Sequence, residues 1–103
     1  MTTHDIGALT DFVSGAARAV RLADRELVVV RIDDDVYVLD DRCSHEAFWL
    51  SDGEVDADDH EIECARHGAM FDLATGEPRS LPATKPVARY DTTVRDGRVE
   101  VTW

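Results

Sequence analysis

Two short pairs of cysteine and histidine constrain this chain more than any other feature of its sequence. Cys43-Ser44-His45 is followed, after eighteen residues, by Cys64-Ala65-Arg66-His67. The pairs contain both cysteines of the chain and two of its four histidines. Each pair is tight enough to present one thiolate and one imidazole to a common centre. Four such ligands fit either a tetrahedral zinc ion or a [2Fe-2S] cluster with both cysteines on one iron. The predicted ligands are Cys43, His45, Cys64 and His67.

The segments outside these pairs predict an all-β protein. Short runs rich in β-branched and aromatic residues are typical of strands, and Asp96-Gly97 between two such runs is a strong hairpin signal. Val99, Val101 and Trp103 alternate with polar residues, which indicates a strand with one buried face. Strands are predicted at 17–22, 25–32, 36–40, 87–95 and 98–103, with a weaker candidate at Leu9–Val13. The terminus around His4 is predicted to be frayed.

The middle of the chain, residues 41–86, has a different pattern. Its apolar pieces are short and are broken by glycine and proline, and no helical periodicity of useful length appears. A loop-rich stretch of this length inside a small domain is unusual unless a non-protein group organises it. We therefore expect residues 1–103 to form a single domain, with its metal-binding loops at about 41–86.

Charge and composition exclude several classes of function. The chain has 103 residues, a formal net charge of −11 and 44% hydrophobic residues, as expected for a folded acidic protein. Such a charge repels nucleic acid and anionic lipid and favours a partner with a basic surface. No secretory segment is visible and no apolar run approaches a membrane span, so we expect neither a nucleic-acid nor a membrane role and a cytoplasmic location.

Residues that flank the two pairs resemble the Rieske family. Leu50 and Gly53 follow the first pair, and Gly68-Ala69-Met70-Phe71-Asp72 follows the second. Thr75-Gly76-Glu77-Pro78 with Leu81-Pro82 is similar to the proline-containing loop that covers the cluster in that family. The resemblance favours the [2Fe-2S] cluster over zinc. It implies a Rieske-like antiparallel β-sandwich or partial barrel with a loop-rich cluster-binding subdomain.

The resemblance also implies a role for each ligand. Cys43 and Cys64 would hold the inner iron, and His45 and His67 would hold the outer iron through Nδ1. Histidine ligation places Rieske potentials at roughly −150 to +300 mV. Ala69 and Phe71 occupy the positions where respiratory members of the family carry hydroxyl donors to the cluster. The low end of the range, about −150 mV, is therefore predicted.

By the same resemblance, the chain is predicted to be a monomeric one-electron carrier and not an enzyme. It would pass electrons from a flavin-dependent reductase to a terminal oxygenase, as a component of a multicomponent oxidoreductase system. A Rieske oxygenase needs a second iron site, for which only His4 and His60 remain. The alternatives left open are a zinc-bound structural or interaction module and the non-catalytic small subunit of a larger reductase.

Two features give candidate docking surfaces for a partner. Phe48 and Trp49 follow the first pair, and they either shield the cluster from water or form an aromatic contact for a partner. The acidic run 56–63 is either a solvated loop or a docking face for a basic partner. The solvated loop is the favoured interpretation of that run.

Overall fold

Nine antiparallel strands in two sheets make up the part of the chain that the structure describes. The computed structural model describes residues 1–22, 24–42, 49–64, 68–79 and 85–103. The strands are β1 (Thr3–Ala8), β2 (Ala17–Leu22), β3 (Arg25–Ile32), β4 (Asp35–Asp40), β5 (Val55–Asp56), β6 (Glu61–Cys64), β7 (Ala69–Asp72), β8 (Arg89–Arg95) and β9 (Arg98–Thr102). Six strands form one sheet in the order β1-β9-β8-β4-β3-β2, and β5-β6-β7 form a second.

Strand β3 lies between two hydrophobic cores because its residues are apolar on both faces. Val28, Val30 and Ile32 point into a first core, and Leu27 and Val29 point into a second. A nearly continuous apolar run is the pattern expected of a strand covered on both sides. The second core lies among the strands of the large sheet, and its buried members include Val99 and Val101 of β9.

The small sheet packs against the large one through the first core. Ile62 and Cys64 of β6 and Phe71 of β7 are fully buried in this core. Their burial removes apolar surface from water, which is the main favourable term for a protein of this size. The small sheet is thereby held on the face of β3 and β4, and its strand β6 ends at Cys64, the first residue of the second ligand pair.

The predicted fold class and most of the predicted strands are confirmed. The ranges 17–22 and 25–32 agree with β2 and β3, and β4, β8 and β9 lie at the other predicted ranges within two residues at each end. No α-helix occurs among the described residues. Within the same residues, no helix has the length and apolar character needed to cross a membrane.

The weaker strand candidate at Leu9–Val13 is wrong. Leu9–Asp11 form a single 3₁₀ turn, because the Asp11 carboxylate turns back to accept a hydrogen bond from the Ala8 amide at 3.0 Å. Phe12 then places its ring in the second core, where it is 3% exposed. A local side-chain hydrogen bond thus competes successfully with strand pairing.

The expectation of a frayed amino terminus is also wrong. Strand β1 begins at Thr3 and pairs with β9 at an edge of the large sheet, with a register shift between Asp5 and Gly7. The His4 ring stacks on Trp103 with ring centroids 3.8 Å apart. Pairing with a strand almost one hundred residues away leaves no signal in the local sequence.

A substitution at Gly76 tests how closely the backbone at Gly76 approaches the backbone at Val87, a residue of the first core. The φ of Gly76 is +77°, and an added Cβ would lie 2.2 Å from the Val87 carbonyl oxygen. We expect Gly76→Ala to lower the free energy of unfolding by about 3 kcal/mol, because left-handed strain and a backbone clash both act on it. Urea denaturation followed by circular dichroism measures the loss.

Gly97→Ala is the matched control, since Gly97 has φ +73° but no atom within 4 Å of an added Cβ. It carries the conformational strain alone, and we expect a loss of about 1 kcal/mol. Equal losses in the two variants would contradict the proposed clash at Gly76.

Candidate metal centre

Cys64 is the one predicted ligand that lies within the described residues. It ends β6, pairs with Ala69 of β7 and has no exposed surface. Gly68, with φ +73°, closes the connection by donating its amide to the Cys64 carbonyl at 3.0 Å. The Cys64 thiol therefore sits in the first core at the end of the β6–β7 hairpin, where the second ligand pair begins.

The flanks of the first ligand pair are joined to each other. Arg42 and Trp49 form an isolated antiparallel bridge on either side of segment 43–48. The Leu50 amide donates to the Asp41 carbonyl at 2.5 Å. The residues on either side of the segment that carries Cys43 and His45 are thus hydrogen-bonded neighbours.

The chain that follows Trp49 connects this place to Cys64. Leu50–Asp52 form a 3₁₀ turn, and the Leu50 side chain is fully buried in the same core as Cys64. Gly53 then passes so close to β6 that an added Cβ would lie 1.6 Å from the Glu63 carbonyl oxygen. Only glycine fits at this distance. The chain that follows the first ligand segment therefore runs beside Glu63, the residue that precedes Cys64.

The proline-containing segment starts from the neighbouring strand. Pro78 forms an antiparallel bridge with Phe71, and the Arg79 amide donates to the Met70 carbonyl at 2.6 Å. Residues 77–79 therefore run alongside β7 towards the end of the sheet that carries Cys64 and Ala69. The described flanks of all three segments that the sequence assigned to the centre therefore lie near this end of the small sheet.

The remaining predicted residues lie outside the described residues. They are Cys43, His45, His67, Phe48, Leu81 and Pro82. Ala69 and Phe71, which replace hydroxyl donors in the sequence prediction of a low potential, are fully buried. His4 and His60 belong to different parts of the fold: His4 stacks on Trp103, and His60 meets the Tyr37 ring edge-on at 5.8 Å.

Asp72 is a buried, hydrogen-bonded carboxylate for which the sequence predicts no role. Its carboxylate, 8% exposed, accepts hydrogen bonds from the Ala74 amide at 2.8 Å, from the Thr75 amide at 3.0 Å and from the Arg79 guanidinium. Burial acts to raise the pKa of Asp72, but these hydrogen bonds outweigh it and hold the pKa below its usual range. The contact joins β7 directly to the start of the proline-containing segment.

The acidic run 56–63 covers the end of β5, a hydrogen-bonded turn at 57–60 and most of β6. Asp56 accepts the amides of Asp58 and Asp59, both at 3.1 Å. Oxygen atoms of Asp56, Asp59 and Glu61 lie within 4.8 Å of one another. The amide contacts account for the conformation of the turn, and whether a partner docks on it stays a hypothesis.

Comparison with known proteins identifies the family. The model of the Rieske [2Fe-2S] domain matches residues 2–91. The chain is 36% identical over 98 residues to the anthranilate 1,2-dioxygenase ferredoxin subunit of Burkholderia cepacia, covering 95% of this chain and 89% of that protein.

Solved structures agree with the sequence comparison. The ferredoxin of carbazole 1,9a-dioxygenase from Nocardioides aromaticivorans IC177 superposes with a TM-score of 0.94 at 35% identity, covering 98% of this chain and 97% of that one. A chain in the complex of reduced oxygenase and oxidized ferredoxin in carbazole 1,9a-dioxygenase gives a TM-score of 0.88 at 35% identity, with 96% and 91% covered.

The fold and the hairpin-end cysteine are those of a cluster-binding domain, and the chain belongs to the Rieske [2Fe-2S] domain family. Its cofactor is the Rieske [2Fe-2S] cluster. The described part of the site fits that group, because Cys64 offers a buried sulfur donor in apolar surroundings near the described flanks of the three segments. The predictions of the family, the cofactor and a ferredoxin function are confirmed.

The Asp72 contact leads to a prediction about pH. Because the pKa of Asp72 is lowered in the folded protein, its contribution is present above the unfolded value near 3.8 and is lost as the pH falls through the folded value. We expect Asp72→Asn to lower the free energy of unfolding by about 1 kcal/mol at pH 7, since Arg79 is partly solvated. The difference from the wild type should shrink below pH 4, measured by thermal unfolding between pH 3 and 7.

Asp5→Asn is the control for this measurement. Asp5 pairs with Arg98 at 2.8 Å, but the side chains of both residues are about half exposed. Solvent screening makes such a pair weak, so the loss at pH 7 should be smaller than for Asp72→Asn. A difference between Asp72→Asn and the wild type that does not change with pH would disprove the assigned role of the Asp72 charge.

Proposed function

We propose that this chain is the ferredoxin component of an oxygenase system, taking single electrons from a flavin-dependent reductase and passing them to a terminal oxygenase. The observation that carries the proposal is the near full-length likeness, at 35% identity, to a chain in an oxygenase–ferredoxin complex. The acidic character of the chain, with a net charge of −11, supports partners with basic surfaces. The chain acts as a single cytoplasmic domain and as a monomer in this proposal.

The proposed ligands are Cys43, His45, Cys64 and His67. The burial of Cys64 supports its place at the inner iron, because a thiolate ligand there is shielded from water and from oxidants. The bridge between Arg42 and Trp49 holds the two flanks of the segment that carries Cys43 and His45 together, which supports the assignment of both residues to one centre. The contact of Gly53 with Glu63 supports the approach of the two ligand pairs to each other.

The cluster supplies a site that accepts and donates one electron. The chain provides the surroundings of that site. Leu50, Phe71 and Leu73 exclude water from the core beside Cys64. Ala69 and Phe71 offer no side-chain hydroxyl to the cluster sulfurs, which supports a potential at the low end of the Rieske range.

A carrier without catalytic activity of its own is favoured by the places of the remaining histidines. A mononuclear oxygenase iron requires two histidines and a carboxylate at one point. His4 lies in the large sheet against Trp103, whereas His60 lies between β5 and β6 against Tyr37. The two belong to separate sheets, so they are poorly placed to share an ion.

The ligand assignment is tested by His45→Ala and His67→Ala. Each change removes an imidazole from the outer iron, so we expect loss of the red-brown colour or a changed EPR spectrum of the dithionite-reduced protein. His60→Ala is the control, and it should keep the wild-type spectrum. Unchanged spectra in both ligand variants, or a colourless wild type that contains zinc, would refute the assignment.

The potential is tested by redox titration of the purified protein followed by visible absorption. We expect a midpoint of about −150 mV, because histidine ligation sets the range and the hydroxyl donors are missing. Ala69→Ser and Phe71→Tyr each restore a hydroxyl and should raise the midpoint. A wild-type midpoint above 0 mV would contradict the argument from Ala69 and Phe71.

A further inference from the structure

A buried carboxylate lies at the base of the first ligand segment. Asp41 lies between β4 and segment 43–48 and has no exposed surface. Its carboxylate accepts hydrogen bonds from the Ser51 amide at 2.6 Å, the Ser51 hydroxyl at 2.8 Å and the Arg21 guanidinium at 2.7 Å. Among the charged residues that the structure describes, only Asp41 and Asp72 are buried.

The backbone of Asp41 makes contacts in two further directions. Its amide donates to the Glu26 carbonyl of β3 at 2.9 Å, and its carbonyl accepts the Leu50 amide at 2.5 Å. Asp41 therefore fastens the chain entering segment 43–48 to the large sheet. It also holds Leu50 and Ser51, which follow that segment.

Arg21 extends the network to Trp49. Its guanidinium donates to the Leu27 carbonyl at 3.3 Å and lies 4.6 Å from the centroid of the Trp49 ring. The Arg42 guanidinium lies 5.2 Å from the same ring. Trp49 is thus held by cation–π contacts from a residue of β2 and from the residue that precedes Cys43.

The energetics of a buried charge indicate a role in geometry. A carboxylate removed from water is stabilised only if its partners replace the lost hydration, and an apolar residue of similar size is often as stable. Among the described residues, the partners of the Asp41 carboxylate lie on β2 and on the chain that returns from segment 43–48. The hydrogen bonds of the carboxylate therefore specify where this segment starts and where it ends.

We propose that Asp41 is a positioning residue which, with Arg21 and Ser51, clamps both flanks of segment 43–48 and so holds Cys43 and His45 in a fixed register. The proposal deepens the proposed function and takes its ligand assignment from it. The clamp itself is a property of residues 41, 49–51 and 21, and it can be measured without any signal from the cluster.

The test is hydrogen exchange of the purified protein, read by mass spectrometry on a peptide that covers residues 49–53. In Asp41→Asn the charge is lost while the shape is kept. We expect exchange in this peptide to be at least about tenfold faster, since a charge-assisted network at a local opening is weakened. A peptide covering 98–103 reports global opening and should change less than about twofold in the same sample.

Asp40→Asn is the matched control. It removes the same charge one residue earlier, where the Asp40 carboxylate accepts a hydrogen bond from the Tyr90 hydroxyl, whereas Ser51 donates to Asp41. It should leave exchange at 49–53 unchanged. Ser51→Ala, which removes one hydroxyl donor only, should give a smaller increase than Asp41→Asn, and it keeps the test open if Asp41→Asn does not fold.

A second measurement relates the clamp to the metal. We expect the rate of cluster release to an iron chelator, followed by visible absorption, to rise about tenfold in Asp41→Asn and in Arg21→Met but not in Asp40→Asn. Unchanged exchange at 49–53, or an equal increase at 98–103, would overturn the clamp. Equal release rates in Asp41→Asn and Asp40→Asn would also overturn it.

Failure of the clamp is distinguishable from failure of the proposed function. If His45→Ala and His67→Ala lose the cluster while exchange at 49–53 is insensitive to Asp41→Asn, the ligands stand and the clamp is wrong. If the histidine variants keep the wild-type spectrum, the ligand assignment is wrong, and the exchange result for Asp41 still decides whether the flanks are clamped.

Discussion

The alternation of side chains along β3 is the constraint on which the rest of the structure depends. Val28 and Val30 face the small sheet, whereas Leu27 and Val29 face the interior of the large sheet. A slip of one residue in the pairing of β3 would exchange these two faces. The small sheet would then meet Leu27, Val29 and the charged Arg31 in place of Val28, Val30 and Ile32, so Ile62 and Cys64 would lose the side chains against which they pack. The position of the hairpin-end cysteine is therefore fixed by a strand that carries no ligand.

Two buried aspartates act where this apolar packing ends. Asp41 lies at the base of the first ligand segment, and Asp72 lies at the base of the proline-containing segment. Each carboxylate accepts at least one backbone amide from the chain that follows, and each accepts a guanidinium, from Arg21 of β2 for Asp41 and from Arg79 of the proline-containing segment for Asp72. Apolar contacts are not directional, but hydrogen bonds to a carboxylate are. The apolar core therefore determines where the two sheets lie relative to each other. The hydrogen-bonded carboxylates determine the direction in which the loop segments leave the sheets.

The fold was largely predictable because its strands have strong local patterns. The run from Arg25 to Ile32 and the Asp96-Gly97 hairpin follow from residue type and turn chemistry alone. Strand β1 was missed, since its pairing partner lies at the other end of the chain and Thr3–Ala8 has no clear alternation. The 3₁₀ turn at Leu9–Asp11 was missed because one hydrogen bond from Asp11 decides it.

The ligand chemistry of the candidate site was predictable from the sequence, but the hydrogen-bonded residues that hold its flanks were not. The spacing of the cysteines and histidines, with the flanking glycines, indicated the cluster. Gly53 belongs to the motif that follows the first ligand pair, and the Glu63 carbonyl beside it is the reason why a glycine is required there. Asp41 and Arg21 could not be predicted, because twenty residues separate them in a chain where acids outnumber bases two to one. In such a sequence one particular pairing of charges carries no signal.

The edges of the large sheet have a consequence for how long an encounter with a partner lasts. Strand β1 forms one edge and is interrupted by the register shift at Gly7, and β2 forms the other edge and carries Arg18 and Arg21. Irregular or charged edges resist the addition of a further strand from another molecule. Under the proposed function, a carrier that meets a reductase and an oxygenase in turn gains from this. The edges of its large sheet resist backbone hydrogen bonding to a strand of another molecule. A partner is then bound through side-chain contacts, and such a complex dissociates more readily than one that extends the sheet.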